Sequence, residues 1–422
     1  MFCKLRRVIL LALLTLSQPA SAADLVVDGV LLPADASVAA SAPSNALQQW
    51  RGVWVGMWGG SLKHVLLVES VAEDGAARVV YAVGGNPYAG IEPRWLRLEG
   101  TASGRTLKVT GTGFSATYEM ADDGALKARF ERGDSMSRAA MTRSDLAALT
   151  RPDAVVAWTR GRSEFLQTDL IEDGKPVALE AVIFRPQGPG PFPLAVINHG
   201  STGRGANQRL FTETWFSVDL ADFLNDRGWL VAFPQRRGRG KSGGLYDEGF
   251  PPIRALGYTC DADITLRGAD RALGDIDAAI SVLRRRPDVA PSAPILVGGQ
   301  SRGGVLSVAY AGLHPERVAG VINFVGGWLG EGCWTASAVN HALFERGALY
   351  GRPTIWLYGQ NDSFYSIAHS RDNFAAFEKA GGKGKFLEFE AAVGQGHGLI
   401  GRPKLWSGPI DLYLNSLVAG VR

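Results

Sequence analysis

The sequence predicts an α/β chain: a mostly parallel, doubly wound sheet preceded by a small antiparallel β-barrel or sandwich. Three observations predict it. From Trp50 to about Thr142, short segments alternate apolar and polar residues between Gly, Asn and Asp breaks. After Arg160 the strand-like runs lose that alternation and become continuously apolar, as strands covered on both faces do. Amphipathic stretches of helical period separate those runs.

The first residues read as an export leader. "MFCKLRR" is basic, "VILLALLTL" is apolar, and Ala20-Ser21-Ala22 offers a small-x-small cleavage site, so residues 1–22 are the expected signal peptide and Ala23 the expected mature start. The apolar run is too short for a membrane span, which needs about 20 residues, and Cys3 precedes it, unlike a lipid-attachment cysteine. The chain is thus expected to be periplasmic or secreted, with no integral membrane segment after cleavage. Processing removes three of the 44 basic residues (Lys4, Arg6, Arg7) and none of the 41 acidic ones, leaving a formal charge of zero. A neutral mature chain argues against nucleic acid as partner, because that needs clustered, uncompensated cations.

Residues 23–49, rich in Ala, Ser and Pro, read as an irregular lead-in. Seven strand-like segments follow in residues 50–143: "GVWVGMW", "KHVLLVESV", "ARVVYAV", "RWLRLEG", "TLKVTGT", "SATYEM" and "ALKARFE". They predict a small all-β domain, and Gly52-Val53-Trp54 resembles the G-x-W of lipocalin-like barrels. Trp50, Trp54 and Trp58 read as its core in preference to a ligand platform. "RSDLAALTRPDAV" reads as a short helix ended by Pro152 within a linker, 144–162.

Residues 163–422 carry the α/β pattern. "FLQTDLI" and "VALEAVIFRP" form a hairpin turning at Asp173-Gly174. The buried strands are "FPLAVINHG", "GWLVAFP", "APILVGGQ", "VAGVINFVGG", "RPTIWLYGQ" and "KFLEFEAAVG". Helical stretches between them include "TETWFSVDLADFLNDRG", "GADRALGDIDAAISVLRRR", "GGVLSVAYAGLH" and "SIAHSRDNFAAFEKAGG". Roughly 120 residues upstream cannot hold even four propeller blades of about 40–45 residues each.

Two G-x-S-x-G motifs compete for a nucleophilic serine. Ser242 in "RRGRGKSGG" lies eight residues past Pro234, and "GGLYDEGFPP" after it cannot start a helix. Ser301 has the strand "APILVGG" running into Gln300 and a helix beginning at once, the strand-turn-helix context such a serine needs. The same basic stretch is no phosphate loop, since Gln235 stands where a Gly is required. A serine hydroxyl needs a base, and the base an orienting acid. His397 in "GQGHGLI" sits in a glycine-rich loop after the last strand, and Asp362 in "GQNDSF" directly follows a buried strand. His314, His341 and His369 fall on helical patterns or helix ends, His64 belongs to the β domain, and His199 closes a strand. Asp372 and Glu390 lie within elements and serve less well as the acid. The reading is Ser301, Asp362, His397, with the Arg302 backbone N–H as one oxyanion donor.

At these residues the sequence resembles the α/β-hydrolase superfamily, which uses the order Ser, Asp, His. "INHG", "RRGRGKS", "GQNDSF" and "GHG" are most similar to its dienelactone-hydrolase and prolyl-oligopeptidase-like branch, although dienelactone hydrolases carry Cys where this chain has Ser301. The resemblance implies an α/β-hydrolase fold and acyl transfer without cofactor or metal. It also implies the Ser201 N–H as second oxyanion donor, with His199 orienting that loop, and places "RRGRGKSGG" beside the loop as a brace. The expected activity is a serine hydrolase acting on a small-molecule ester. Two alternatives stay open: a peptidase of the prolyl-oligopeptidase-like clan, and a non-catalytic binding protein on a hydrolase fold. Residues 243–266 and 327–352 should overhang Ser301, each with one cysteine, Cys260 and Cys333. Two thiols and a disulfide are both open; export favours a disulfide holding Tyr258, Trp328 and Trp334 near the substrate pocket.

Overall fold

In the computed structural model, residues 24–39, 46–59, 62–86, 91–122, 124–133, 135–151, 154, 156–159, 161–390 and 396–419 are described. The expected signal peptide, its cleavage point before Ala23, and Pro152 lie outside the described residues.

The lead-in is not irregular throughout. Strands β1 (Leu25–Val27) and β2 (Val30–Leu32) form a hairpin around Asp28 and Gly29, both with positive φ (43° and 82°), the geometry that favours Asp-Gly in a two-residue turn. Val27, Val30 and Leu32 bury against Val53, Val55, Val65, Leu67, Val80 and Ala82. Those six residues lie on three barrel strands whose other face fills the barrel, so both faces of these strands are apolar and the outer one needs a cover.

The barrel comprises β3 (Gly52–Trp58), β4 (Leu62–Val71), β5 (Ala76–Val83), β6 (Arg94–Ser103), β7 (Thr106–Gly111), β8 (Phe114–Met120), β9 (Leu126–Arg132) and β10 (Ser135–Ser144). It is closed, because β10 pairs antiparallel with both β9 and β3. Closure removes the sheet edges. β10, "SMSRAAMTRS", is the strand that the sequence reading did not name; its small and hydroxylated residues give no strong apolar alternation. Trp50, Trp54 and Trp58 are core residues, with Leu66, Val79, Tyr81 and Tyr118. Buried His64 is neutral, its pKa lowered by burial to about 3. Its Nδ1 meets the Ala82 carbonyl at 2.8 Å, so Nδ1 carries the proton and Nε2 accepts from the Tyr118 hydroxyl at 2.9 Å. The connector is docked as well. Leu149 of α1 (Leu146–Leu149) and Trp158 join the apolar cover, and Trp158 Nε1 donates to Asp28 at 2.7 Å.

The second sheet has eight strands in the order β11-β12-β14-β13-β15-β16-β17-β18. β11 (Arg162–Glu172) and β12 (Lys175–Phe184) form the expected hairpin, with Asp173 and Gly174 at φ 49° and 72°. β13 (Leu194–Asn198), β14 (Leu230–Pro234), β15 (Ile295–Gln300), β16 (Val318–Phe324), β17 (Pro353–Gly359) and β18 (Lys383–Phe389) are mutually parallel. The helices are α2 (Val218–Asn225), α3 (Ala262–Leu283), α4 (Arg302–Leu313), α5 (Ala336–Ala348), α6 (Ile367–Lys379) and α7 (Pro403–Ala419). α3 to α6 pack on one another on one face, and α2 meets α7 on the other. This is the α/β-hydrolase fold expected from the sequence. Helix α2 starts later than the apolar pattern implied, because Trp215 is tied by its backbone N–H and carbonyl to the Gln235 amide, both at 2.8 Å, which holds the chain extended until Ser217 caps the helix. Among the described residues no helix is long and apolar enough to cross a membrane.

α2 also carries the contact between barrel and sheet, packing against β10. Asp219, 1% exposed, lies there with Arg138 as the opposing charge. Burial raises its pKa from the usual carboxylate value to about 7, against the pull of Arg138. The folded chain therefore keeps a proton between about pH 4 and 7 that the unfolded chain has released, and stability falls as pH rises through that window. Asp219→Asn should remove this slope, raising the melting temperature at pH 8 by several degrees while changing it little at pH 4.5, read by thermal denaturation across pH.

Candidate active site

The parallel strands deliver their carboxyl ends to one edge of the sheet, where α/β folds place their sites. Asn198 lies level with Gly299 across β13 and β15. The loop after β13 and the turn after β15 therefore leave the sheet side by side.

Ser301 occupies that turn with φ 56° and ψ −122°, a conformation costly for a residue with a Cβ. Its surroundings hold it there. The Ser301 N–H donates to the Phe324 carbonyl at 2.9 Å, and its carbonyl accepts from Gly304 at 2.9 Å and Gly327 at 3.2 Å. A Cβ at Gly299 would overlap Gly303, and one at Gly303 would overlap the backbone of Asn198 and His199. Both motif glycines are thus steric requirements of the turn. Ser242 is committed elsewhere: its hydroxyl donates to the Gln235 carbonyl at 2.7 Å and accepts the Glu180 N–H at 2.8 Å, clamping β12 to the end of β14.

Asp362 follows β17 with its side chain buried. Its Oδ1 accepts the N–H groups of Phe364 (2.8 Å) and Tyr365 (3.2 Å), and Oδ2 meets His397 Nδ1 at 2.9 Å. A carboxylate so supplied with donors places the His397 proton on Nδ1 and leaves Nε2 as a base. His397 is the second residue of the 3₁₀ turn Gly396–Gly401, its carbonyl tied to Gln300 Nε2 at 2.7 Å, and its ring packs on Phe364 and Tyr365 at centroid distances of 4.6 and 5.7 Å. Tyr365 connects the two halves of the site: its hydroxyl donates to Gly327 at 2.8 Å and interacts with the Ser301 side chain. Burial raises its pKa well above the ordinary phenol value, so the hydroxyl stays protonated.

His199 is buried, and burial, followed by the charges of Arg236 and Arg239, drives its pKa well below the usual imidazole value. Its Nδ1 faces the Gly200 carbonyl at 2.8 Å, and Nε2 accepts the Arg236 N–H at 3.1 Å. Both ring nitrogens hold backbone. Arg236, 2% exposed, donates to the carbonyls of His199 (2.9 Å) and Gly200 (3.4 Å). Because a trans peptide sets N–H opposite C=O, fixing the Gly200 carbonyl toward Arg236 turns the Ser201 N–H the other way. Gly200 itself lies against Ser301, where an added Cβ would come within 3.1 Å of the serine Cβ. Within "RRGRGKSGG", then, Arg236 braces this loop, whereas Arg237 pairs with Asp275 at 2.6 Å, and Arg239 with the Leu210 carbonyl at 2.6 Å.

Behind the turn, Glu248 pairs with Arg236 at 2.5 Å and with Arg302 at 3.4 Å, all three buried. Burial opposes its ionisation, but the two arginines hold its pKa below the ordinary carboxylate value. Tyr258 and Trp328, expected in the substrate pocket, instead sandwich the Arg302 guanidinium at 3.8 and 4.2 Å from their ring centres, a cation–π arrangement. Trp334 is 84% exposed and contributes no such wall. Cys260 and Cys333 form a disulfide, Cα atoms 5.4 Å apart, joining the loop after β14 to the loop after β16. Tyr365, Glu248 and the Arg302 side chain escaped the sequence reading. An Arg opening the otherwise apolar "GGVLSVAYAGL" helix was the one signal of a buried cation. The described residues contain no group of three or more His, Cys, Asp or Glu arranged to hold a metal.

The sequence profile of the family described as Serine aminopeptidase, S33 matches residues 209–330. No curated protein matches the chain. Similar solved structures include Est1E from Butyrivibrio proteoclasticus bound to ferulic acid, at 16% identity over 61% of this chain and 99% of that one, TM-score 0.42. The esterase Pf2001 of Pyrococcus furiosus is similar at 15% identity over 63% and 96%, TM-score 0.41. A thermophilic esterase from Thermogutta terrifontis is similar at 16% over 61% and 94%, TM-score 0.38.

The two G-x-S-x-G serines separate experimentally. Ser242→Ala loses one donor and one acceptor of buried backbone and should cost about 1–3 kcal/mol of stability by denaturant unfolding. Its rate of hydrolysis per folded molecule should stay at the wild-type value.

Proposed function

We propose that this chain is a serine hydrolase cleaving a carboxylic ester through an acyl-enzyme on Ser301. The observation that carries the reading is the strained Ser301 turn at the start of α4, whose neighbour Gln300 is tied at 2.7 Å to the carbonyl of a His397 with its Nδ1 fixed by Asp362. Ser301 Oγ attacks the ester carbonyl and its proton passes to His397 Nε2. The carbonyl oxygen becomes an oxyanion, facing the N–H groups of Arg302, first residue of α4, and Ser201. Collapse breaks the ester bond, and the alcohol leaves with the proton held by His397. Water then repeats the sequence on the acyl-enzyme, returning the acid and free Ser301. No step calls on a cofactor or a metal.

An ester is favoured over a peptide with a free amino terminus. An aminopeptidase needs a carboxylate free to hold the substrate ammonium, and the two buried carboxylates close to the site are taken up by the protein's own donors: Asp362 serves His397, and Glu248 serves Arg236 and Arg302. The Cys260–Cys333 disulfide supports an oxidising, extracytoplasmic location, since such bonds persist there and are rare in the cytosol.

A fluorophosphonate probe should label the wild type once and leave Ser301→Ala unlabelled. Short p-nitrophenyl esters should turn over faster than aminoacyl anilides by at least about 100-fold. A folded wild type that takes no label would defeat the enzyme reading and leave the binding-protein alternative; faster cleavage of the anilides would favour the peptidase.

A further inference from the structure

The loop that presents the Ser201 N–H is sparsely bonded within itself: the Gly205 N–H reaches the Thr202 carbonyl at 3.2 Å and the Ser201 hydroxyl the Gly203 carbonyl at 3.4 Å. Residues 199–207 form no helix or strand and include Gly203 and Gly205 at φ 66° and 75°. The donor matters only if it is already aimed when the oxyanion forms, so the fixing must come from outside. Arg236 and His199 supply it at the start of the loop. At Thr202 the chain meets a second device.

We propose that Tyr258 is a positioning residue for the oxyanion loop, fixing the Thr202 peptide through a directed hydrogen-bond chain that ends on Glu248. The direction follows from the groups themselves. Glu248, held ionised between two arginines, only accepts, so the Tyr246 hydroxyl donates to it at 3.1 Å. Tyr246 has no second proton, so at their 2.6 Å contact Tyr258 is the donor. The Tyr258 oxygen is left with two lone pairs, and Thr202 presents two donors: its backbone N–H at 3.2 Å and its hydroxyl at 2.8 Å. Every phenol proton and lone pair along Tyr258 is thereby used once. Hydrogen bonds in such a chain strengthen one another, and the carboxylate sets their sense.

The backbone repeats the tie. The Tyr258 N–H donates to the Arg204 carbonyl at 3.0 Å, Gly257 crosses that carbonyl with no room for a Cβ, and the Tyr258 ring lies 3.0 Å from the position a Cβ would take on Gly205. Two residues on, Cys260 is covalently bound to Cys333. Thr335 Oγ1 donates to the Cys260 carbonyl at 2.5 Å. The disulfide thus anchors the segment from which Tyr258 reaches the loop, and Arg302, whose N–H is the other proposed oxyanion donor, is stacked on the same Tyr258 ring.

The inference rests on the serine-hydrolase reading, and Tyr258→Phe tests it apart from that reading. The variant keeps the ring and its stack on Arg302 and removes only the hydroxyl. With a p-nitrophenyl ester, kcat should fall about 10- to 100-fold, less than full loss of a donor, while KM stays within about two-fold. Affinity for a trifluoromethyl ketone, which forms an oxyanion on the serine, should fall by the same factor as kcat/KM. Tyr246→Phe, one link further back, should give the same pattern at smaller size, and serves should Tyr258→Phe not fold. A raised KM at unchanged kcat would overturn the proposal and restore Tyr258 as a pocket wall. Unchanged kinetics with a lowered melting temperature would overturn it in favour of a structural role. A wild type that neither hydrolyses esters nor binds the ketone fails before any variant is made, and that result sinks the serine-hydrolase reading instead.

Discussion

One buried carboxylate holds the site together. Glu248 sits between Arg236 and Arg302, and those two arginines serve the two pieces of backbone that the proposed chemistry needs in register: Arg236, just past β14, holds the loop after β13, and Arg302 opens the first turn of α4. Taking three charges out of water is expensive, and a buried ion pair is a poor source of net stability. Its value here is geometric. Remove the carboxylate and two buried guanidinium groups repel across the space where loop and turn must meet. Tyr246 and Tyr258 extend the same anchor to Thr202, so the carboxylate reaches one loop by two routes.

The strain at Ser301 is the complement of that anchor. A non-glycine residue at φ 56° persists only where its neighbours over-determine it. Here they do so from three strands: Phe324 at the end of β16 and Gly327 beyond it, Gly299 and Gly303 on either side of the turn after β15, and Asn198 and His199 at the end of β13. Asp362 and His397 come from the ends of β17 and the chain after β18, so five successive parallel-strand connections converge on one point. No single segment of the chain contains the site.

The fold was legible because its signal is periodicity. Continuous apolar runs separated by amphipathic helices mark a covered parallel sheet, and the seven alternating segments mark a barrel; β10 was lost because Ala139, Ala140 and its serines carry little apolar contrast. The Asp28-Gly29 hairpin was lost for another reason: its strands are three residues each, too short for alternation to register, although Asp-Gly was visible. Ser301, Asp362 and His397 were legible as candidates because each falls at a strand end in sequence. The bracing network was not. Arg236, Glu248, Arg302, Tyr246 and Tyr258 lie far apart in the chain, and a charged residue reads as surface until the structure buries it. For the same reason Tyr258 and Trp328 read as pocket walls when their rings clamp a guanidinium, and Trp334, beside Cys333, read as pocket when it lies on the surface.

The central claim is that Ser301 carries the acyl group, and a slowly released acyl group tests it most directly. Incubation with a p-nitrophenyl dimethylcarbamate, whose carbamoyl-enzyme hydrolyses slowly, followed by acid quenching and peptide mass mapping, locates the modified residue. The account predicts one carbamoyl group per chain, on Ser301, with release of one equivalent of p-nitrophenol. A carbamoyl group on any other residue, or ester hydrolysis that survives in Ser301→Ala, would contradict it.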